Sequence, residues 1–206
     1  MSITGGGLIL AAGRGSRYGS DKRRAILANG GTLLETTLTV WQQALPALNV
    51  ALRVVLRAES EPGERELASS LSKQFPDLAI TFATHSRNGM GASLAAGIRH
   101  CQDWDYALVG LGDMPYLRPG TLHSLILTLR QQIASGNHAC IVRPCQQGRP
   151  GHPVGFGREH FAALSCLDGD VGARSIIEAT PGVIDLSCED PGIHRDVDTP
   201  EEHGAH

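Results

Sequence analysis

Short apolar runs alternate with amphipathic segments along most of this chain. Residues 7–12 and 106–111 ("YALVGL") read as buried strands, whereas residues 32–45 repeat apolar side chains at helical spacing and stop before Pro46. Strands that alternate with helices build parallel sheets, so the sequence predicts an α/β fold with an open, mostly parallel sheet. Further strands are predicted at 50–56, 78–83, 139–143, 154–156, 182–186 and 194–197, and further helices at 61–75, 92–101, 119–133, 159–164 and 171–179.

The loops after the strands are where a ligand is expected. In open α/β sheets, ligands bind at the carboxyl ends of the strands. Three such loops carry polar or glycine residues and should be considered together: residues 12–22, residues 112–115 and residues 196–200.

Composition narrows the class of protein. The chain has 206 residues, of which 41% are hydrophobic and 19% charged, with a net charge of −3, so a basic surface for nucleic acid or an anionic membrane is not expected. No apolar run approaches the roughly 18 residues of a membrane-spanning helix, and six residues before the first strand are too few for a signal peptide. Five cysteines without a C-x-x-C pair predict neither disulfides nor a zinc site and indicate a cytoplasmic protein.

The segment 7–27 combines glycines with five cationic side chains: Arg14, Arg17, Lys22, Arg23 and Arg24. Glycines let backbone N–H groups turn towards an anion, and the cations add charge where phosphates would lie. The glycine spacing, G-x-G-x-x-x-G, differs from the dinucleotide fingerprint, and no Walker G-K-[ST] follows. The segment therefore predicts a phosphate-binding loop, with a flexible solvated loop as the alternative.

Two acidic loops could hold a magnesium ion. Asp113 of "LGDMP" follows a buried strand, and Asp198 lies in "DVDTPEE". Mg²⁺ prefers carboxylate, phosphate and water oxygens. Each residue also has a structural interpretation, Asp113 as a turn residue and Asp198 as a helix N-cap before Pro200.

Two glycine-containing segments lie in the second half of the chain. "GRPGHP" contains Arg149 and His152, and "DGDVGAR" contains Asp170 and Arg174. A lone histidine is usually structural, and Asp170 could cap a helix that carries Arg174 on its surface. Neither segment by itself defines a site.

Taken together, six segments resemble one enzyme family. "LAAGRGSRYGSDK", "NGMGASLAAGI", "LGDMP", "GRPGHPVGF", "DGDVGAR" and "DVDTPEE" occur in the order typical of the nucleotidyltransferases of molybdenum cofactor biosynthesis, and most resemble its cytidylyltransferases. The resemblance spans residues 7–202. It implies a single Rossmann-like nucleotidyltransferase domain over residues 1–206, with helices on both faces of the sheet. It also implies Mg²⁺-dependent transfer of CMP from CTP to the phosphate of molybdopterin, with release of pyrophosphate.

The resemblance also implies a role for each matching residue. In the nucleotide-binding half, about residues 1–115, "LAAG" would hold base and ribose by backbone contacts. Gly15, Arg17 and Lys22 would hold the triphosphate, and Ser93 would help recognise the pyrimidine. Lys22, Arg17 and Asp113 would be catalytic, and Asp113 and Asp198 would bind Mg²⁺. In the acceptor-binding half, about residues 116–206, the segments with Arg149, His152, Asp170 and Arg174 would line the pterin side. The "LAAG" residues are Leu10, Ala11, Ala12 and Gly13.

Three alternatives stay open at this point. Guanylyltransferases of the same family typically carry "LAGG", so Ala12 favours CTP over GTP. Some relatives are nicotinamide-dependent oxidoreductases, and a binding module that delivers the cofactor to a molybdoenzyme is a third possibility. The expected partners are CTP, a molybdopterin-type substrate and a molybdoenzyme or its chaperone, without nucleic acid or membrane. One departure from the family is "SDKRRAIL", where Arg23 and Arg24 replace a leucine-rich turn.

Overall fold

The computed structural model describes residues 3–14, 21–45 and 50–197, which fold around one sheet. Its strands are β1 (Gly5–Leu10), β2 (Ala51–Arg57), β3 (Leu78–Ala83), β4 (Tyr106–Leu111), β5 (Ile141–Gln146), β6 (Arg149–Pro150), β7 (Val154–Gly157) and β8 (Ile184–Ser187). Its α-helices are α1 (Leu33–Ala44), α2 (Glu64–Gln74), α3 (Met90–Arg99), α4 (Pro119–Ala134), α5 (Phe161–Ser165) and α6 (Arg174–Ala179). Short 3₁₀ helices cover Lys22–Arg24, Ser86–Asn88, Arg158–His160 and Pro191–His194.

The strand order, β3-β2-β1-β4-β7-β5-β6 with β8 beside β5, confirms the predicted fold class. Strands β3, β2, β1 and β4 run parallel, β7 is antiparallel to both β4 and β5, and β8 is parallel to β5. The sheet is therefore mostly parallel, as the alternation of strands and helices predicts.

Helices cover both faces of this sheet. Apolar residues of α1, α2 and α4 form one core with alternate strand residues such as Ile9. Residues of α3 and α5 form a second core with Leu8 and Leu10 on the other face. Because successive strand side chains point to opposite faces, the uninterrupted apolar run of β1 is buried along its whole length. Among the described helices, none is both long and apolar enough to cross a membrane.

Local sequence signals explain where several elements begin. Thr32 and Glu35 form a reciprocal capping box at the start of α1. A proline occupies the first turn of α4, where its missing N–H costs nothing. Trp41 of α1 is fully buried against Gly7 and Gly110 of the central strands, where added Cβ atoms would lie 2.7 and 2.4 Å from its ring.

Two sequence predictions were wrong. The predicted strand at 194–197 is absent, because Asp190 accepts a hydrogen bond from the Gly192 N–H at 2.8 Å and caps a 3₁₀ helix over Pro191–His194. The strand predicted at 139–143 is displaced along the chain: β5 begins at Ile141, continues to Gln146 and turns back into β6 through a left-handed Gln147 and Gly148.

Candidate active site

The loops after β1 and β4 lie side by side at the carboxyl edge of the sheet. Leu10 pairs with Leu111 at the strand ends, and the Gly112 N–H donates to the Leu10 carbonyl at 2.9 Å. The C-terminal segment reaches the same edge, since the Val197 N–H donates to the Asp113 carbonyl at 3.0 Å. The predicted meeting of the three loops is thus confirmed as far as residue 197.

A lysine and an aspartate from two of these loops form the centre of the site. Lys22 Nζ lies 2.6 Å from Asp113 Oδ2 and 3.5 Å from the Val197 carbonyl oxygen. Both side chains are largely withdrawn from solvent, with 12% and 20% of their surface exposed. Their position brings one cation and one carboxylate to the point where a ligand at this edge of the sheet would bind.

The second oxygen of Asp113 is suited to a metal ion. Asp113 Oδ1 is buried and has no hydrogen-bond partner within residues 3–14, 21–45 and 50–197. A buried, unsatisfied carboxylate oxygen is costly unless a ligand completes it. No cluster of three metal-binding side chains occurs within the described ranges, and Asp198, the predicted second ligand, lies outside them. Mg²⁺ is usually bound by one or two carboxylates, and its other coordination positions are filled by phosphate oxygens and waters. A single described carboxylate ligand, Asp113, fits this pattern.

A cleft of about 320 Å³ opens beside Asp113. Its lining comes from the ends of β1 and β4, the first turns of α3 and the loop before α6. The sequence-predicted residues among its lining are Leu10, Ala12, Gly13, Ser93, Asp113 and Asp170.

Two residues on that wall have well-defined surroundings. Ala12 is 2% exposed and belongs to the same buried apolar cluster as Leu10, Val55 and Ala83. Ser93 is 4% exposed, and its hydroxyl donates to the Gly89 carbonyl at 3.2 Å, which leaves the hydroxyl oxygen as an acceptor.

Ala11 does not line the cleft. Its N–H donates to the Val55 carbonyl, and its own carbonyl accepts from Arg23 Nη1, both at 2.9 Å. Its backbone groups therefore hold the loop in place. The predicted backbone contacts to a ligand would come from Leu10, Ala12 and Gly13 instead. Gly15 and Arg17 lie outside the described residues.

Arg23 is the centre of a buried ion-pair network beneath this loop. Arg23 is 4% exposed and Glu64 is fully buried. Arg23 donates to Asp21 at 2.8 and 2.6 Å and to both oxygens of Glu64, at 3.0 Å for Nη1 to Oε2. Burial lowers the pKa of Arg23, but the two carboxylates outweigh it and raise the pKa above its usual value. For Asp21, burial raises the pKa, but Arg23 and Arg57 together have the larger, opposite effect. The pKa of Asp21 is therefore lower than usual, and the carboxylate stays charged.

Arg57, at the end of β2, extends the network to Gly13 of the same loop. Its Nη2 donates to the Gly13 carbonyl at 2.7 Å, and its backbone N–H donates to Glu64 at 3.1 Å. The loop after β1 is therefore fastened at Ala11 and at Gly13. Sequence reasoning missed Glu64, because a carboxylate in the first turn of a helix is favourable on its own account and signals no distant partner.

Two further cations of the opening segment, Arg14 and Arg24, also have protein partners. Arg14 lines the cleft and forms an ion pair with Glu61, and Arg24 donates to the Gly63 carbonyl just before α2. The departure from the family at "SDKRRAIL" is thus structural: Arg23 and Arg24 fasten the loop, whereas Lys22 alone of these three approaches Asp113.

The four predicted acceptor residues are not brought together. Arg149 is exposed on β6, and Arg174 is 83% exposed and pairs with Glu178 at 2.7 Å. Asp170 lies in the cleft beside Ser93. Ala173 is the N-cap residue of α6, so Asp170 does not cap that helix.

His152 lies close to the central pair. Its N–H donates to the Ile193 carbonyl at 3.0 Å. Protein around the imidazole displaces water and lowers the pKa of His152, against the opposing effect of the carboxylates Asp113 and Asp196. His152 as a whole residue is exposed to solvent, so a ligand at Asp113 could reach it.

The cysteines show no sign of nucleophilic activation. All five are unpaired thiols. Burial raises the pKa of Cys101 to about 11 and also raises the pKa of Cys140. A thiol with a raised pKa is a poor nucleophile at neutral pH.

Comparison with known proteins defines the class. Residues 7–183 match the model of the MobA-like NTP transferase domain, and the chain belongs to this family of nucleotidyltransferases. It is similar over 95% of its length to nicotine blue oxidoreductase of Paenarthrobacter nicotinovorans, with 30% identity and 93% of that protein covered. It is also 30% identical to a probable molybdenum cofactor guanylyltransferase of Methanosarcina acetivorans, over 66% of this chain and 56% of that protein.

Solved structures show the same fold. Rv0371c from Mycobacterium tuberculosis H37Rv superposes with a TM-score of 0.74 at 26% identity, covering 98% of this chain and 97% of that chain. A nucleotidyl transferase from Methanothermobacter thermautotroptrophicus also gives a TM-score of 0.74, at 20% identity, with 98% and 95% covered.

Proposed function

We propose that this nucleotidyltransferase transfers CMP from CTP to the phosphate of molybdopterin, giving the cytosine dinucleotide form of the cofactor and pyrophosphate. The observation that carries the proposal is the Lys22–Asp113 pair at the carboxyl edge of the sheet, with Asp113 Oδ1 buried and unsatisfied beside a cleft of about 320 Å³. A cation and an incomplete carboxylate at the same point suit a triphosphate that arrives with a divalent metal ion.

The protein residues act mainly by position and charge. The acceptor phosphate and the α-phosphate repel each other, and Lys22, with Arg17 from the same loop, offsets that repulsion and stabilises charge in the transition state. Asp113 and Asp198 would hold Mg²⁺, which supplies electrostatic stabilisation of the phosphates. No side-chain nucleophile is required.

Nucleotide choice is assigned to the wall of the cleft. Ala12 lines the cleft at the position where guanylyl enzymes typically carry glycine, and Ser93 would offer its hydroxyl oxygen to the base. A wrong base would leave buried polar groups unpaired, which penalises its binding.

The acceptor is placed on the side of His152. The charge of Asp113 acts on the imidazole of His152 and opposes the lowering of its pKa by burial. Arg149 lies three residues before His152, on the hairpin. Both offer donors to an anionic pterin. Arg174 would have to release Glu178 to join them.

The test is pyrophosphate release with each of the four nucleoside triphosphates, with and without the molybdenum cofactor. We expect release that requires the cofactor and is fastest with CTP. Equal or higher kcat/KM with GTP would instead assign the chain to the guanylyl branch, which the similarity to the Methanosarcina protein favours.

A second candidate function is that of an oxidoreductase. It is favoured by the 30% identity to nicotine blue oxidoreductase over nearly the whole of both chains. The glycine spacing and the Lys22–Asp113 pair suit a triphosphate better than a dinucleotide. An absorbance change with NADH as the only donor, without nucleoside triphosphate, would establish this activity.

A further inference from the structure

We propose that Asp170 reads the amino group of the nucleobase, so that the site accepts cytosine and rejects uracil. The inference rests on the proposed use of a pyrimidine triphosphate. It reassigns Asp170 from the acceptor side to the nucleotide side of the site.

The first argument is the place of Asp170 in the cleft. Although it belongs to the segment before α6, it lines the same cleft as Ala12 and Ser93. Phosphates are drawn to Lys22 and Asp113 by charge and by the bound metal ion. Leu10, Met90 and Leu111 of the lining suit the faces of a base. The lining also contains Arg14 and Arg87, which both pair with Glu61.

The second argument is that backbone contacts bring this residue to the cleft. The Gly91 N–H of α3 donates to the Gly169 carbonyl at 2.8 Å. Gly89 has φ +125°, and a Cβ there would lie 2.2 Å from Asp170 Oδ1. The two glycines before and within α3 therefore let the loop close until Asp170 reaches the wall of the cleft.

The third argument is that the hydrogen-bonding capacity of Asp170 is unused by the protein. Asp170 is exposed to solvent, and in the part of the chain that the structure describes no hydrogen bond or ion pair engages its carboxylate, so a ligand could exchange with water there. Asp168, two residues earlier, instead accepts a hydrogen bond from the Asn88 amide at 3.0 Å. Asp168 faces a different groove and does not line this cleft.

The chemistry of the bases then gives the direction of selection. A carboxylate only accepts hydrogen bonds, so it pairs with the exocyclic amino group of cytosine and repels the carbonyl oxygen at the same position of uracil. Guanine also carries hydrogen-bond donors, so Asp170 alone would not reject GTP. Asp170 distinguishes cytosine from uracil, and the exclusion of guanine is assigned to Ala12.

The experiment compares Asp170→Asn with Asp168→Asn. The two variants remove the same charge from the same loop, and only the first changes the cleft. We measure kcat/KM for CTP and for UTP by pyrophosphate release at saturating molybdenum cofactor, and CTP affinity by calorimetry with Mg²⁺ and no acceptor. An asparagine amide can rotate to donate to uracil, so Asp170→Asn should reduce the CTP-to-UTP ratio by about tenfold. Asp168→Asn should leave the ratio unchanged.

The outcomes separate this inference from the proposed function. If wild-type protein prefers CTP and Asp170→Asn leaves the ratio unchanged, the inference is wrong and the proposed function stands. A raised KM for the cofactor with an unchanged ratio also overturns it and returns Asp170 to the acceptor side. If the wild-type protein binds neither pyrimidine triphosphate in the calorimeter, both proposals fail.

Discussion

The two carboxylate oxygens of Asp113 have different surroundings. Oδ2 lies 2.6 Å from the Lys22 ammonium, and Oδ1 is buried without a described partner. A residue kept only as a turn former would not leave a buried oxygen unsatisfied, because that oxygen has lost its water without gaining a hydrogen bond. The position therefore favours a ligand role over the turn role that the sequence left open.

Asp113→Asn should lower turnover by at least about 100-fold, because it removes the charge that holds the metal ion and keeps the shape. Asp198→Asn should act in the same direction. The measurement is pyrophosphate release as a function of Mg²⁺ concentration, with circular dichroism to establish that the fold is intact.

Asp185→Asn is the matched control for this prediction. Asp185 lies on β8, is 44% exposed and pairs with Arg143 away from the cleft. Its loss should leave turnover unchanged. A near-native rate for Asp113→Asn at low Mg²⁺ would rule out Asp113 as a metal ligand.

At the scale of elements, the contact between α1 and the central strands depends on glycine. Trp41 fills the space that side chains at Gly7 and Gly110 would occupy on β1 and β4. Since β1 and β4 carry the two loops of the site, the depth to which α1 packs also sets the geometry of those loops.

Gly110→Ala should lower the free energy of unfolding by about 2–3 kcal/mol, because the new methyl group would lie 2.4 Å from Trp41 and a packed core relaxes poorly. The control is Gly120→Ala in α4, where an added Cβ meets nothing within 4 Å. That change should be neutral or stabilise by up to about 1 kcal/mol. Urea denaturation measures both, and equal unfolding free energies for the two variants would contradict this account of the contact.

At the scale of the whole molecule, the two halves of the chain share one sheet. Strand β4 of the first half pairs with β1 on one side and with β7 of the second half on the other. Helix α4 of the second half belongs to the same core as α1 and α2. We therefore propose that residues 1–206 unfold as a single domain, although nucleotide and acceptor are assigned to different halves.

The two tryptophans test this cooperativity, since Trp41 belongs to the core on one face of the sheet and Trp104 to the core on the other. In Trp104→Phe, fluorescence reports the first core, and in Trp41→Phe it reports the second. Within each variant we expect the fluorescence transition in urea to coincide with that of far-ultraviolet circular dichroism. Separate midpoints within one variant would show that the cores unfold independently.

The sequence by itself determined the order of elements and the place of the site. Hydrophobic periodicity is a local property, so the bounds of β3 and β4 were predicted to the residue, and Asp113 followed from its position after β4. Where local signals competed, prediction failed: residues 194–197 look like a strand, but the cap formed by Asp190 holds the preceding residues in a 3₁₀ helix.

Only the tertiary structure decided which charges face the cleft and which are paired inside the protein. Arg23 looks like a phosphate-binding residue in the sequence, yet Glu64, 41 positions away, neutralises it in the core. Asp170 looks like a helix cap, yet the close approach of its loop to Gly89 places it in the cleft. A charged side chain takes its role from partners that are distant along the chain, and that information exists only after the chain has folded.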